Sequence, residues 1–141
     1  MSAFPTPVVS AKHWRGQGTV LVVDDEFAVR HTAARLISHL GFEVREADSG
    51  SAALAYFHAG GTADLVLVDQ SMPGMDGSAT IAELLKLRPI LRIVIFSGFS
   101  EEFARRRFPS RSTIRFLQKP FSLDMLRDTL RATFNEPGDQ A

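Results

Sequence analysis

Short apolar runs alternate along the chain with stretches whose apolar residues recur at helical spacing. "TVLVVD" (19–24) is an unbroken apolar run ending in acid, the pattern of a strand buried on both faces. "EFAVRHTAARLISHL" (26–40) places Phe27, Ala33, Ala34, Leu36, Ile37 and Leu40 on one helical stripe, and Gly41 follows as a stop. "FEVREA" (42–47) alternates as a half-buried strand does. "SGSAALAYFHA" (49–59) predicts a helix capped by Ser49 and ended by Gly60 and Gly61. "ADLVLVD" (63–69) is a second apolar strand with an acid at its tip, and "QSMPGMDG" (70–77) is a loop by its Pro and Gly content. "SATIAELLKLR" (78–88) predicts a helix stopped before Pro89. "LRIVIFS" (91–97) is a strand ending in a hydroxyl, and "SEEFARRRF" (100–108) a short helix with acids in its first turn. "STIRFLQ" (112–118) is the last strand, followed by "KPF" and an amphipathic helix at "SLDMLRDTLRATF" (122–134).

Five strands alternating with helices, several apolar on both faces, predict an α/β fold with a parallel sheet covered by helices on each side. Residues 1–18, with prolines, glycines and no periodicity, are expected to be a flexible tail or linker, residues 19–134 the domain, and 135–141 a second tail. At 141 residues the length fits one domain. Acids and bases balance to a formal charge of zero, which removes any bulk electrostatic case for nucleic acid or an anionic membrane. No apolar run reaches the ~18 residues of a membrane span, and the N-terminus lacks the pattern of a signal peptide, so the cytoplasm is the expected location. Cysteine is absent, which excludes disulfides, thiolate metal sites and a cysteine nucleophile.

In open parallel sheets, ligands bind beyond the carboxyl ends of the strands. At those tips stand Asp24 and Asp25, then Asp69, then Ser97, then Lys119. Adjacent carboxylates at the end of a buried strand repel one another and need a cation. Mg²⁺ suits them, since it prefers oxygen ligands at about 2.0–2.1 Å and keeps much of its water. Asp25 and Asp69 are the candidate direct ligands, with Asp24 acting mainly through water. A carboxylate can also act as a nucleophile and form an acyl phosphate. The transferred group then needs its oxygens neutralised: Mg²⁺ can take one, the Ser97 hydroxyl a second and the Lys119 ammonium a third.

The stretches "VLVVDDE", "DLVLVDQSMPGMDG", "IVIFSG" and "FLQKPF" make residues 19 to 134 resemble the receiver domain of two-component response regulators. That resemblance implies a flavodoxin-like, CheY-like (βα)5 doubly wound fold with five parallel strands in the order 2-1-3-4-5. It implies Asp69 as the phosphorylated residue and Asp24 and Asp25 as the acidic pair positioning Mg²⁺, joined by the backbone carbonyl of Ser71. It also implies Ser97 as the switch hydroxyl, Lys119 as the characteristic lysine, a cis Lys119–Pro120 peptide, and Phe116 as the aromatic that turns inward after phosphorylation. Ser97 stands where threonine is common and lacks its methyl group. Phe116 stands where tyrosine is common and cannot hydrogen-bond at the surface. The implied partners are a sensor histidine kinase or histidine phosphotransfer protein and a downstream protein. Residues 135–141 are too few for a DNA-binding domain, and a monomer or weak dimer is expected.

The implied role is therefore a phosphoacceptor switch rather than an enzyme in the ordinary sense, though one that assists its own phosphorylation and dephosphorylation. Two variants remain open: a receiver cut from a hybrid histidine kinase, and a phosphorylation-independent adaptor. A dehalogenase-like phosphatase fits poorly, because the second acid it needs two residues after the nucleophile is Ser71 here. His13, His31, His39 and His58 are too scattered for a metal site. Phe99, Phe103 and Phe108 are spaced as packing residues, and Gly98 relaxes the backbone after a strand. Arg105, Arg106, Arg107, Arg111 and Arg115 crowd one region, which reads either as a solvated helix and loop or as a basic surface for an acidic partner.

Overall fold

The computed structural model describes residues 14–70, 77–98, 106 and 114–135. Five parallel strands form one sheet: β1 (Thr19–Val23), β2 (Glu43–Ala47), β3 (Leu65–Asp69), β4 (Arg92–Ser97) and β5 (Ile114–Gln118), in the order β2-β1-β3-β4-β5. Among the described residues there are four helices: α1 (Phe27–His39), α2 (Gly50–His58), α3 (Gly77–Leu87) and α4 (Leu123–Asn135). The helix expected at 100–108 and the loop at 71–76 lie outside the described residues.

The side-chain alternation of the strands divides the core in two. Leu21, Val23, Val66, Val68, Ile93 and Ile95 face one side, where Ala53 and Phe57 of α2 and Ile81 and Leu84 of α3 cover them. Val20, Val22, Leu65, Leu67, Val94 and Phe96 face the other, under Ala33, Ala34 and Ile37 of α1 and Leu126 and Leu130 of α4. A central strand must therefore be apolar at every position, and β3 is buried throughout. Strand β2 is at the sheet edge and departs from the expected half-buried alternation: Glu43, Arg45 and Glu46 are exposed and only Ala47 is buried. Charged side chains on an edge strand also discourage pairing with another chain.

Helix α2 begins where Ser49 accepts a hydrogen bond from the Ala52 N–H at 3.0 Å, satisfying a donor that the first helical turn leaves open. Helix α1 ends at Leu40, and the chain reverses at Gly41 with φ +111°. A side chain there would be strained, and its Cβ would lie 2.8 Å from the carbonyl oxygen of Gly16.

Residues 14 to 18, part of the stretch expected to be a tail, lie against this end of the domain. The Gly16 N–H donates to the Leu40 carbonyl at 2.8 Å. Trp14 packs on Phe42, with ring centroids 5.9 Å apart, and Phe42 stacks on Phe134 of α4 at 5.2 Å. Arg92 closes the row, its guanidinium 5.7 Å from the Phe134 ring and its Nε donating to the Thr133 carbonyl at 3.2 Å. The segment before β1 is thus joined to the last helix through an aromatic bridge. Trp14→Ala should remove half-buried apolar area and lower unfolding stability by about 1–3 kcal/mol, measured by urea denaturation.

Candidate functional site

The strand register brings the acids together. Val23 pairs with Val68, so Asp24 follows at the tip of β1 beside Asp69 at the tip of β3. Asp69 in turn pairs with Phe96, and Ser97 with Gln118. The next residue, Lys119, is tied back by its N–H, which donates to the Ser97 carbonyl at 2.7 Å. The Lys119–Pro120 peptide bond is cis.

Carboxylate oxygens of Asp24, Asp25 and Asp69 all lie within 4.8 Å of one another. Asp24 is fully buried, Asp69 nearly so, and Asp25 is exposed. Lys119 reaches over the ring of Phe96, its Nζ 4.6 Å from the ring centre. From there it donates to Asp69 Oδ1 at 3.2 Å and lies 4.0 Å from Asp24 Oδ2. That second distance is an ion pair without a hydrogen bond, and among the described residues Asp24 Oδ2 has no hydrogen-bond partner. The other Asp24 oxygen accepts from the Glu26 N–H at 2.9 Å, and the Asp24 carbonyl accepts from Arg30 at 2.9 Å. Arg30 is itself held by Glu46 at 2.9 Å, and His31 meets the other Glu46 oxygen at 3.3 Å.

Burial pushes the Asp24 carboxyl up to about 6; neighbouring Asp69 and Asp25 add to the rise, while the Glu26 N–H and Lys119 oppose it. Lys119 sets one ammonium beside three carboxylates, a charge balance that a divalent cation would improve. The buried Oδ2 of Asp24, which accepts no hydrogen bond among the described residues, is where such an ion would relieve most, and the carboxylate donor set suits a hard cation. Asp24, Asp25 and Asp69 therefore fit a bound Mg²⁺; Ser71, whose carbonyl the sequence adds to this set, lies outside the described residues.

Ser97 and Phe116 sit differently. By strand alternation Asp24 and Asp69 follow the face of Val22 and Leu67, under α1 and α4, whereas Ser97 follows Ile95, on the face under α2 and α3. Phe116 pairs with Ile95 and packs into that second core, partly buried. The candidate switch residues thus lie on the opposite face of the sheet from the carboxylates, and only at the tip of β4 do the two groups meet. Of the candidate basic surface, Arg106 is exposed and Arg115 is half-buried on β5, while Arg105, Arg107 and Arg111 lie outside the described residues. Sequence reading misses Arg30 and Phe96, which support the Asp24 loop and Lys119. Phe96 has a legible signal, since it immediately precedes Ser97 and must therefore face the opposite side, towards Lys119.

The response regulator receiver domain family matches residues 20–131. The chain belongs to this family. It is 39% identical over 125 residues to the sensor kinase CckA of Brucella abortus (strain 2308), a match that covers 88% of this chain but only 13% of that kinase. The crystal structure of the receiver domain from the hybrid histidine kinase CckA superposes with a TM-score of 0.68 at 30% identity, over 84% of this chain and all of that one. The chemotaxis protein CheY4 of Vibrio cholerae shares the fold, with a TM-score of 0.73 at 23% identity over 84% of this chain and 99% of that one. As a receiver domain, this chain is a component of two-component signal transduction, a switch rather than a conventional enzyme. None of its described helices is long and apolar enough to cross a membrane.

The raised Asp24 carboxyl makes stability depend on pH in the metal-free receiver. Its ordinary value is 3.8 and its folded value about 6, so between these the folded state holds the proton more tightly than the unfolded chain does. Stability should therefore fall as pH rises from about 4 to about 6, by about 1–3 kcal/mol. Thermal or urea melts in chelator should show this slope, and Asp24→Asn should lack it.

Proposed function

We propose that this receiver accepts a phosphoryl group on Asp69 from a phosphohistidine of a sensor kinase or phosphotransfer protein. The observation that carries the reading is Asp69 itself, almost wholly buried at the tip of β3, held at 3.2 Å by Lys119 within a three-carboxylate cluster. Lys119 fixes Asp69 Oδ1 and so orients the carboxylate. A carboxylate oxygen forms the new O–P bond as the donor's N–P bond breaks, and the electron pair stays with the imidazole nitrogen. Asp24, Asp25 and Asp69, with the Ser71 carbonyl, would hold Mg²⁺, which when bound neutralises charge on the phosphoryl oxygens. Lys119 then pairs with one phosphoryl oxygen, and the Ser97 hydroxyl donates to another.

Ser97 must cross the tip of β4 to make that bond, which opens space on the face where Phe116 packs. Phe116 moves into this space, and the surface of β5 changes for a downstream partner. The energy separating the two arrangements is of the order of a few kcal/mol, so the unmodified protein samples the second one. The donor must approach the same strand tips, and exposed apolar surface borders them. Phe27 at the start of α1 is 64% exposed. Alongside it runs a groove of about 330 Å³ lined by Ala28, Val29, Thr32, Ala33, Leu36 and Phe121. The kinase or phosphotransfer protein docks there. A second reading draws on the likeness to CckA: the same chemistry within a hybrid kinase, where the phosphoryl group passes from this domain to a further histidine.

Incubation with a small acyl-phosphate donor and Mg²⁺ should add one phosphate mass, absent in Asp69→Asn. Asp25→Asn should slow labelling by at least about tenfold at low Mg²⁺, because lost metal ligation removes charge stabilisation. A phosphate that maps by mass spectrometry to a serine or histidine would reject the mechanism.

A further inference from the structure

The chemistry above gives Arg30 no part, yet its side chain is only 13% exposed and is held by three groups. Its Nε donates to Glu46 Oε1 on β2 at 2.9 Å, and its Nη1 donates to the Asp24 carbonyl at 2.9 Å. Its guanidinium carbon lies 5.3 Å from the centre of the Phe27 ring. A fixed positive charge near a candidate Mg²⁺ site opposes the binding of a second cation. Glu46 offsets that charge, and what reaches the Asp24–Asp25 turn is a directed hydrogen bond.

That bond falls on the peptide group that leads into Asp25. The Asp24 carbonyl and the Asp25 N–H belong to one planar unit, so holding the carbonyl sets the direction in which the Asp25 Cα leaves it. The residue before the turn is fixed as well, since the Asp24 N–H donates to the Ala47 carbonyl at 3.1 Å. On the far side of Asp25, the Glu26 N–H donates to Asp24 Oδ1 at 2.9 Å. The peptide groups before and after Asp25 are thus both tied. Asp25 is the exposed member of the carboxylate cluster, so packing does little to aim it, and its backbone must. Glu26, the N-cap of α1, makes no side-chain cap bond that could steady the turn instead.

We propose that Arg30, anchored by Glu46, is a positioning residue for the metal site, holding the Asp24–Asp25 peptide so that the Asp25 carboxylate faces Asp24 and Asp69. The inference rests on the reading of Asp25 as a Mg²⁺ ligand. Two consecutive residues at the end of β2 then hold the tip of β1: Ala47 through its carbonyl and Glu46 through Arg30. Mg²⁺ demands near-ideal octahedral geometry, whereas Ca²⁺ accepts a flexible shell. A turn released from Arg30 therefore loses Mg²⁺ more than Ca²⁺. Lysine cannot replace the arginine, because it keeps the charge without the rigid planar fork that spans the carbonyl and Glu46 together.

The test titrates the full, unphosphorylated chain with Mg²⁺ and separately with Ca²⁺, reading affinity from amide NMR shifts. Wild type is compared with Arg30→Met, Arg30→Lys, Glu46→Ala and Asp25→Asn. Both Arg30 variants should weaken Mg²⁺ binding roughly tenfold and Ca²⁺ binding no more than about twofold. Glu46→Ala should shift the ratio of the two affinities in the same direction. A pure charge effect has the opposite sign in Arg30→Met, because deleting a cation would tighten both ions, and that result overturns the proposal. Wild-type Mg²⁺ affinity in Arg30→Lys also overturns it, as does an equal loss of both ions, which is the behaviour of a generally loosened fold. If Asp25→Asn binds Mg²⁺ as well as wild type does, the reading of Asp25 as a ligand fails and takes this proposal with it. If Asp25→Asn loses Mg²⁺ and the Arg30 variants do not, the proposal alone falls. Should an Arg30 variant fold poorly, Glu46→Ala decides, and an unchanged ratio there is a refutation.

Discussion

Lys119 faces two buried carboxylates at once and forms a hydrogen bond with only one of them. It donates to Asp69 at 3.2 Å and stands 4.0 Å from Asp24, whose inner oxygen accepts no hydrogen bond among the described residues. The rest of the site follows from this incomplete neutralisation. Asp24 can remain buried only by resisting ionisation or by recruiting a cation, and the first course shows in its raised carboxyl. The sheet keeps the charges close because its register, set by apolar packing over the whole length of the strands, leaves the tips no freedom to spread. Folding energy from the core thus holds together a group of charges that would repel one another in an unconstrained peptide.

The sheet also separates the carboxylate cluster from the two candidate switch residues. By strand alternation Asp24 and Asp69 lie on the α1 and α4 face, with Lys119 reaching over Phe96 to them, whereas Ser97 and Phe116 belong to the face under α2 and α3. A change in charge on one side is felt on the other only where the backbone ends and side chains can pass the tip of β4. Under the proposed function, a phosphoryl group at Asp69 would have a short route to Phe116, through a single serine. In that proposal the moving parts would be side chains at an edge, over a core that stays packed.

The fold is largely legible in the sequence because central strands of a parallel sheet must be apolar on both faces, as "VLVV", "LVLV" and "IVIF" are. The strand tips are legible for the same reason, since each run stops abruptly at Asp24, Asp69 or Ser97. Boundaries are less so. The apolar pattern extends the third strand back to Ala63, yet the Asp64 carboxylate accepts from the Thr19 N–H at 2.8 Å, and the ladder starts only at Leu65. Trp14 reads as part of a tail because its partner Phe42 is far along the chain and no periodicity links them. Gln70 reads as the first residue of a loop, and a polar letter does not reveal that it is buried or that Gly77 settles on its backbone.

The aromatic bridge at the far end of the sheet has an optical consequence. Trp14 is the sole tryptophan, and it packs beside Phe42 at the edge where the parallel strands begin, opposite the carboxylates. Its indole emission follows the docking of residues 14 to 18 onto the domain and is insulated from events at Asp69 by the length of every strand. Quenching or a red shift in this protein would report the fraying of its first segment or loss of the fold. Following the switch by fluorescence would instead call for an indole placed on the Phe116 face.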